Sequence, residues 1–397
     1  MKINLERLKK NIIDIGEIGR TNKGITRIAF SKEYFQALKK LKTLMLGQGL
    51  EVTVDKVGNI FGKRDGSKNL PSIMVGSHLD TVRNGGLLDG NLGVVAALEY
   101  INILKENNVS TNHPIEMVAF NAEEGSEMGG TFGSRVMMGQ QDINEIDFGE
   151  KLQKYNININ DIRDSKRNIE DIKAFLELHI EQGGILDKEG IPIGIVNGIV
   201  GITRYRIIIK GDANHAGTTP MDLRKDALVM ASKLILKIND LSKKIGDPFV
   251  STVGYIKANP GFVNVIPGEV ELILEIRDLS NERIDFFIQS IKGYTEKIAD
   301  YEFIFEALID KPPVKTSKAI IKLIEDICKD KEIDYKIMTS GAGHDAKEIA
   351  KKIPTAMIFV PSKDGKSHCP EEYTEWKHIE LGTQMLLETI LNLDCNI

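Results

Sequence analysis

The chain has 397 residues, of which 42% are hydrophobic and 27% charged, with a formal net charge of −5. That length suits about two domains, and the composition is that of a water-soluble globular protein with enough apolar residues to fill a core. The acidic balance and the lack of a basic stripe exclude the usual footprint of a nucleic-acid binder, and no apolar run approaches the roughly 20 residues of a membrane helix.

The opening MKINLERLKKNIIDIGEIG has helical spacing but neither a continuous apolar stretch nor a cleavage site, so no signal peptide is expected. Residues 33–46 predict a helix, and 51–53 and 60–62 predict strands. Residues 72–75 form a short apolar run entering GSHLDT, the pattern of a buried strand that delivers polar residues at its end. An apolar helix over 93–104, opened by Asn91, follows, and then a second buried strand over 116–120 that ends at NAEEG. Strand, polar tip and helix in repetition predict an α/β sheet, in which function gathers at the carboxyl ends of the strands. The middle of the chain differs. Half-buried strands over 205–210, 250–256 and 270–276 surround an amphipathic helix over 226–238, which predicts a compact α+β insert. Pro312 and Pro313 mark the return to the first domain. A helix over 317–329, strands over 335–338 and 356–360 and a final helix over 379–391 complete the reading, with the polar stretch 156–168 as the expected mobile loop. Three scattered cysteines, Cys328, Cys369 and Cys395, make neither a disulfide framework nor a CxxC knot, so a reducing, cytoplasmic setting is expected.

Chemistry concentrates at the strand tips. Five of the seven histidines (His78, His179, His215, His344 and His368) lie in short segments rich in Gly, Asp, Glu, Asn or Thr. His113, before a proline, and His378, near the last helix, read as surface histidines. A strand would place His78 and Asp80 on one face, where the carboxylate can take one ring N–H and aim the other nitrogen at a metal. An isolated HxD is most often a core or surface histidine, but here NGGLLDGNLG follows at once and supplies Asp89 among glycines. Acidic groups at the end of a buried strand are costly unless something positive neutralises them. Glu123 and Glu124 are adjacent after the strand VAFNA, where desolvation worsens their repulsion; one ligating a metal and the other serving as general base would resolve it. His179 in AFLELHIEQGG and His368 in DGKSHCPEE complete the set. Three imidazoles and two carboxylates without a thiolate suit zinc, manganese or cobalt better than a structural zinc knot. Cys369, beside His368, reads as a bystander.

Taken in order from about residue 15 to 390, GSHLDTVRNGGLLDG, NAEEG, ELHIEQG, NHAGTTPMDLRKD, NVIPG, RDL and SGAGHD resemble one family. It comprises the allantoate amidohydrolases, N-carbamoyl-L-amino-acid hydrolases and β-ureidopropionases, within the superfamily of aminoacylases and zinc carboxypeptidases. The resemblance implies an α/β catalytic domain, with a dinuclear metal centre and a mixed central sheet flanked by helices, formed by residues 1–202 and 315–397. It implies an inserted α+β lid and dimerisation domain over residues 203–314. Two divalent metal ions per subunit are implied, zinc by default with manganese, cobalt or nickel as alternatives. His78, Asp89, Glu124, His179 and His368 match their ligands, with Asp89 bridging. Glu123 matches the catalytic base and Asp80 the partner of His78. His215 matches a residue that reaches across a homodimer into the other active site and stabilises the oxyanion. Asn264 and Arg277 match residues that hold the substrate carboxylate, and Gln182 and His344 match pocket residues. Cys369 departs from the small polar residue expected after the last ligand, which leaves ligation intact but adds sensitivity to oxidation.

The residue types fit these roles independently. A guanidinium is a planar, bidentate clamp for a carboxylate, and Asn264 adds an amide donor. Read alone, Arg277 with Glu275 would be a surface ion pair, and His215 a surface or capping histidine. The expected reaction is hydrolysis of the carbamoyl C–N bond of a small ureido acid, releasing ammonia, carbon dioxide or both. The segments DIKAFLELHIEQG, GIVNGIVG and YKIMTSGAGHDA point first to allantoate, with N-carbamoyl-L-amino acids next. An aminoacylase or dipeptidase would keep the metals and change the bond; HIEQG and the Asn264–Arg277 pair argue against it. A non-catalytic binding protein on the same scaffold would be expected to have lost ligands or the base, and all are present.

Overall fold

The computed structural model describes residues 1–144 and 147–395. The chain divides into two units, Met1–Asn197 with Thr316–Ile397, and Gly198–Lys315.

The first unit is built on a mixed sheet. Its central strands run in the order Thr355–Val360, Ile172–Ile180, Ser72–His78, Ile115–Phe120, all parallel, and continue through the antiparallel strands Ile60–Arg64 and Glu51–Val54. Three of the parallel strands, Ser72–His78, Ile115–Phe120 and Thr355–Val360, are buried at every position. That is why they read as unbroken apolar runs rather than as alternating ones: helices cover both faces of such sheets. The helix Asn91–Glu106 is buried from Asn91 to Leu104 and packs against Ser72–His78. Helix Leu5–Gly16 packs on it in turn, capped by the Asn4 side chain accepting from Arg7 N–H. Register aligns the tips: His78 lies opposite Phe120, and His179 opposite Phe359. The residues immediately beyond these positions therefore emerge along one edge of the sheet. The expected mixed α/β architecture is the one observed, and no helix among the described residues is long and apolar enough to cross a membrane.

The polar stretch expected to be a mobile loop is instead structured. Residues Ile159–Asp164 form a helix whose Asn158 and Asp161 make a reciprocal capping box, and Ile157 and Ile162 are buried in a cluster with Phe148 and Leu152. The alternation of isoleucine with Asn and Asp hides both the cap and the anchors.

The second unit is an antiparallel four-stranded sheet in the order Val250–Asn259, Glu269–Asp278, Gly201–Lys210, Glu302–Lys311. In Glu269–Asp278 the residues Val270, Leu272, Leu274 and Ile276 are buried and alternate with partly exposed neighbours. The buried face packs against helices Ala227–Ile245 and Asn281–Thr295. The first helix is capped by Asp226, whose side chain accepts from Leu228 and Val229 N–H. The second helix and the strand Glu302–Lys311 are additional to the elements read from the sequence; that strand lies at a sheet edge, is largely exposed and lacks a clear buried face.

Candidate metal centre

Three parallel strands deliver the site. Ser72–His78 ends at His78, Ile115–Phe120 leads into Asn121–Glu124, and Ile172–Ile180 carries His179. The turn after His78 brings in Asp89, and a loop before the last helix brings in His368.

His78 and His179 are each oriented by a backbone carbonyl. His78 Nδ1 lies 3.0 Å from Asp80 O, and His179 Nδ1 lies 2.9 Å from Ile180 O. A proton on Nδ1 is thus engaged in both, which leaves Nε2 as the lone-pair nitrogen. Both Nε2 atoms face Asp89 Oδ1, at 3.4 Å from His78 and 3.1 Å from His179. The second oxygen of Asp89, Oδ2, lies 3.1 Å from His368 Nε2 and accepts from Gln182 Nε2 at 2.8 Å and from Ser367 Oγ at 3.0 Å. His368 Nε2 is also 3.3 Å from Glu124 Oε2.

Whether these residues suit metal ions can be judged from atoms without a partner. Among the buried side-chain atoms with no hydrogen-bond partner are Asp89 Oδ1, Glu124 Oε1 and His179 Nε2. Unsatisfied buried polar atoms are costly, and two of these, Asp89 Oδ1 and His179 Nε2, face each other at 3.1 Å with no donor between them. His78, Asp89 and His179 form one potential ligand group, and Asp89, Glu124 and His368 another; within each the donor atoms lie within 4.8 Å of one another. The two groups share Asp89. A further group joins His78, Glu123 and Glu124. The group Glu177, His179 and His344 is less suited, because Glu177 accepts from Ser77 Oγ at 2.6 Å and from Ala346 N–H at 3.2 Å. No cysteine enters any such group among the described residues. Nitrogen and carboxylate donors of this kind fit a divalent ion such as zinc or manganese.

Asp80 does its work differently from expectation. Its carboxylate lies 3.9 Å from His78 Nδ1, while its backbone oxygen holds the ring. The carboxylate instead accepts the amides of Glu123 (3.2 Å) and Glu124 (3.1 Å). It thereby fixes the two residues of the acidic pair, because the chain turns sharply at Ala122, whose φ is +60°. Glu123 is 9% exposed, and its Oε2 lies 3.9 Å from His78 Nε2. Burial pushes its carboxyl well above the ordinary range, reinforced by the negative charges of Glu124, Asp345 and Asp80.

Other expected site residues divide between the units. In the first unit, Gln182 touches Asp89 as above, and His344, buried, packs edge-on to His179 with ring centroids 4.6 Å apart. His344 Nε2 pairs with Ser340 Oγ at 2.9 Å. In the second unit, His215 is exposed and pairs in a short ladder with Val265, next to Asn264. His215 Nδ1 accepts from Gly217 and Thr218 N–H at 3.0 and 3.2 Å, which places the proton on Nε2. Asn264 is bound through its backbone, accepting from Ala216 N–H at 3.0 Å. Arg277 is on the sheet, and its Nε donates to Glu275 at 2.9 Å.

Several residues escaped the sequence reading. Arg27 is 1% exposed and donates to Leu79 O at 2.7 Å, Gly16 O at 3.1 Å and Ile18 O at 2.8 Å, tying the first helix to the segment between His78 and Asp80. A lone arginine inside the apolar GITRIAF was the available signal. Glu372, also buried, accepts from Leu88 and Asp89 N–H; its signal was a second Glu-Glu pair after His368. His113 is buried rather than superficial: its Nδ1 lies 2.7 Å from Pro71 O and its Nε2 3.0 Å from Lys173 Nζ.

Residues 74–392 match the family model of peptidase family M20/M25/M40. The chain belongs to that family. Over 98% of both chains it is 42% identical to an N-carbamoyl-L-amino-acid amidohydrolase of Pseudomonas sp. (strain NS671). It is 35% identical to the allantoate amidohydrolase of Escherichia coli (strain K12), covering 91% of each. Among solved structures, an amidase of the hydantoinase/carbamoylase family from Burkholderia multivorans superposes with a TM-score of 0.90 at 30% identity, covering 99% of this chain and 98% of that one. These likenesses span both units.

Proposed function

We propose that the chain is a metal-dependent amidohydrolase that cleaves the carbamoyl C–N bond of an N-carbamoyl-L-amino acid. The observation that carries this reading is a pair of potential ligand groups that share Asp89, with unpaired buried atoms on Asp89, Glu124 and His179, beside a buried carboxylate, Glu123, that neither of the two requires. The sequence segments place allantoate first; the relatives named for N-carbamoyl-L-amino acids are 42%, 35% and 37% identical and those named for allantoate 35% and 36%, and the relative at 42% supports placing N-carbamoyl-L-amino acids ahead. Allantoate is the second reading, supported by those same relatives.

His78, Asp89 and His179 would hold one divalent ion, and Asp89, Glu124 and His368 a second. Ions bound there would supply Lewis acidity, lowering the pKa of a water and polarising the carbamoyl carbonyl. Glu123 takes a proton from the attacking water and passes it to the leaving nitrogen, a role favoured by burial that raises its carboxyl above the ordinary range. The Nε2–H of His215 donates to the developing oxyanion, from the other subunit of a homodimer. Arg277 and Asn264 hold the substrate carboxylate, so that binding energy becomes orientation. Water adds to the carbamoyl carbon, the C–N bond breaks, and the products are the free amino acid, ammonia and carbon dioxide.

The test is ammonia release by manganese- and zinc-loaded protein on N-carbamoyl-L-amino acids and allantoate, with an N-acetyl amino acid and a dipeptide alongside. Glu123→Gln should keep its metal and lose roughly 10²–10⁴-fold in turnover. Near-wild-type turnover in that variant would remove Glu123 as the base, and cleavage of the acyl or peptide substrates alone would remove the carbamoyl assignment.

A further inference from the structure

Outside the donor set, one buried carboxylate joins the two segments that carry Asp89 and His368. Glu372 lies four residues after His368 in the same loop, yet its Oε1 accepts from Leu88 N–H at 2.8 Å and Asp89 N–H at 3.1 Å. Its Oε2 is 3.0 Å from Ser367 Oγ, and Ser367 Oγ is 3.0 Å from Asp89 Oδ2. Backbone and side chain of Asp89 are therefore both held from one loop. The approach is possible only because residue 86 is glycine: a Cβ there would lie 2.2 Å from Glu372 Oε1 and 2.4 Å from its Cβ. His368 itself meets the site through Nε2, which lies 3.1 Å from Asp89 Oδ2 and 3.3 Å from Glu124 Oε2. Its side chain is 48% exposed and its φ is +57°, a conformation that only surrounding contacts maintain in a non-glycine residue.

We infer that Glu372 is a positioning residue for the metal centre, clamping the Asp89 turn to the Ser367–His368 loop so that the Asp89 carboxylate and His368 Nε2 are presented together. The inference rests on the reading of Asp89, Glu124 and His368 as ligands. Glu372 touches neither substrate nor reacting atoms; it acts through hydrogen bonds to Asp89 and Ser367. A glutamine in its place keeps the carbonyl oxygen for the two amides and offers Nε2 as donor to Ser367 Oγ. An alanine leaves both amides and the hydroxyl without it. Partners of this kind typically contribute 10–100-fold to metal affinity.

The experiment titrates manganese-loaded full-length protein with a graded chelator and reads residual metal per chain by mass spectrometry, for wild type, E372A, E372Q, S367A and D89N. Thermal melts of the metal-stripped proteins establish folding. E372A should release metal at a roughly 10–100-fold lower chelator-to-metal ratio, S367A should shift in the same direction by less, and E372Q should stay near wild type. Excess manganese should restore kcat in E372A. If D89N holds metal as wild type does, the ligand reading itself fails. If D89N loses metal while E372A retains it normally, the ligand reading stands and the clamp is refuted. Equal weakening in E372A and E372Q also refutes it, since the bonds described survive in glutamine. Should E372A not fold, an unshifted S367A overturns the proposal.

Discussion

Replacing Asp80 by asparagine separates two ways in which this residue could serve the site. Each of its carboxylate oxygens accepts one amide, from Glu123 at 3.2 Å and from Glu124 at 3.1 Å, and the side chain is wholly buried. Asparagine preserves the size but turns one acceptor into a donor, so one of the two amides must face an N–H group. A hydrogen bond to a charged acceptor contributes about 1.5–3 kcal/mol, and leaving a buried donor unsatisfied costs about 1–3 kcal/mol. Burying a neutral amide in place of a carboxylate recovers part of this. The expected net loss is about 2–4 kcal/mol, which for a unit of this size lowers Tm by roughly 5–10 °C. Because the bond that fails anchors the turn carrying Glu123, kcat should fall about 100-fold, the effect of a displacement near 1 Å. Circular-dichroism melts of metal-stripped protein and ammonia release by the loaded enzyme measure the two quantities. If Asp80 acted through the His78 ring instead, metal affinity would drop with Tm unchanged. That result, or a variant with wild-type Tm and kcat, would refute the reasoning.

Two further outcomes follow from charged groups remote from the donor atoms, the buried Arg27 and the partly buried Asp55. Arg27→Met should cost about 2–4 kcal/mol in a urea titration, because the carbonyls of Gly16, Ile18 and Leu79 lose their donor in a dry setting; an unchanged midpoint would show that the guanidinium is dispensable. Asp55 accepts from Val57 and Asn59 N–H, yet burial, the largest influence, pushes its carboxyl up to about 6 from 3.8. Since the folded value exceeds the unfolded one, the folded state binds the proton more tightly. The contribution is fully present below about pH 4 and is lost as pH rises through about 6, a change of up to about 3 kcal/mol. The stability of wild type relative to Asp55→Asn should therefore increase as pH falls from 7 to 4, and a difference independent of pH would contradict it.

Much of the first unit is legible because its strands are buried on both faces. An apolar run that stops abruptly at GSHLD, NAEEG or HIEQG announces both a strand and the charged tip it delivers. His78, Asp89, the pair Glu123–Glu124 and His179 could be singled out because imidazoles and carboxylates at the ends of such runs need a counter-charge, whereas the choice of Glu124 over Glu123 and the place of His368 in the set rested on the family resemblance. What stayed hidden depends on partners far away in sequence. Glu372 reaches Asp89 across 283 residues, and Arg27 reaches Leu79 across 52. The local signals, a lone arginine among apolar residues and a second Glu-Glu pair, do not name the partner that each buried charge meets. His113 illustrates the same point: a loop histidine before proline reads as superficial until Pro71, Lys173 and the Asp394 carboxylate, which accepts its amide at 2.7 Å, enclose it.

The most local of the hidden features is the backbone itself. Ala122, Gln182 and His368 all adopt left-handed φ, at +60°, +59° and +57°, and none is a glycine. Propensity argues against that conformation at each, which is why no turn of this kind could be read there. The three precede Glu123, donate to Asp89 and supply a candidate donor nitrogen, respectively. Long-range bonds hold the first two: Asp80 grips the amides after Ala122, and Ser362 Oγ accepts the Gln182 N–H at 3.0 Å. Local preference is overruled where side chains must converge on a small volume, and the overruling is done by buried polar groups that make no contact with a reactant. On this view Asp80 and Glu372 belong to one class of residue. Their substitution should disturb the site through the backbone amides they release rather than through any charge they present to it.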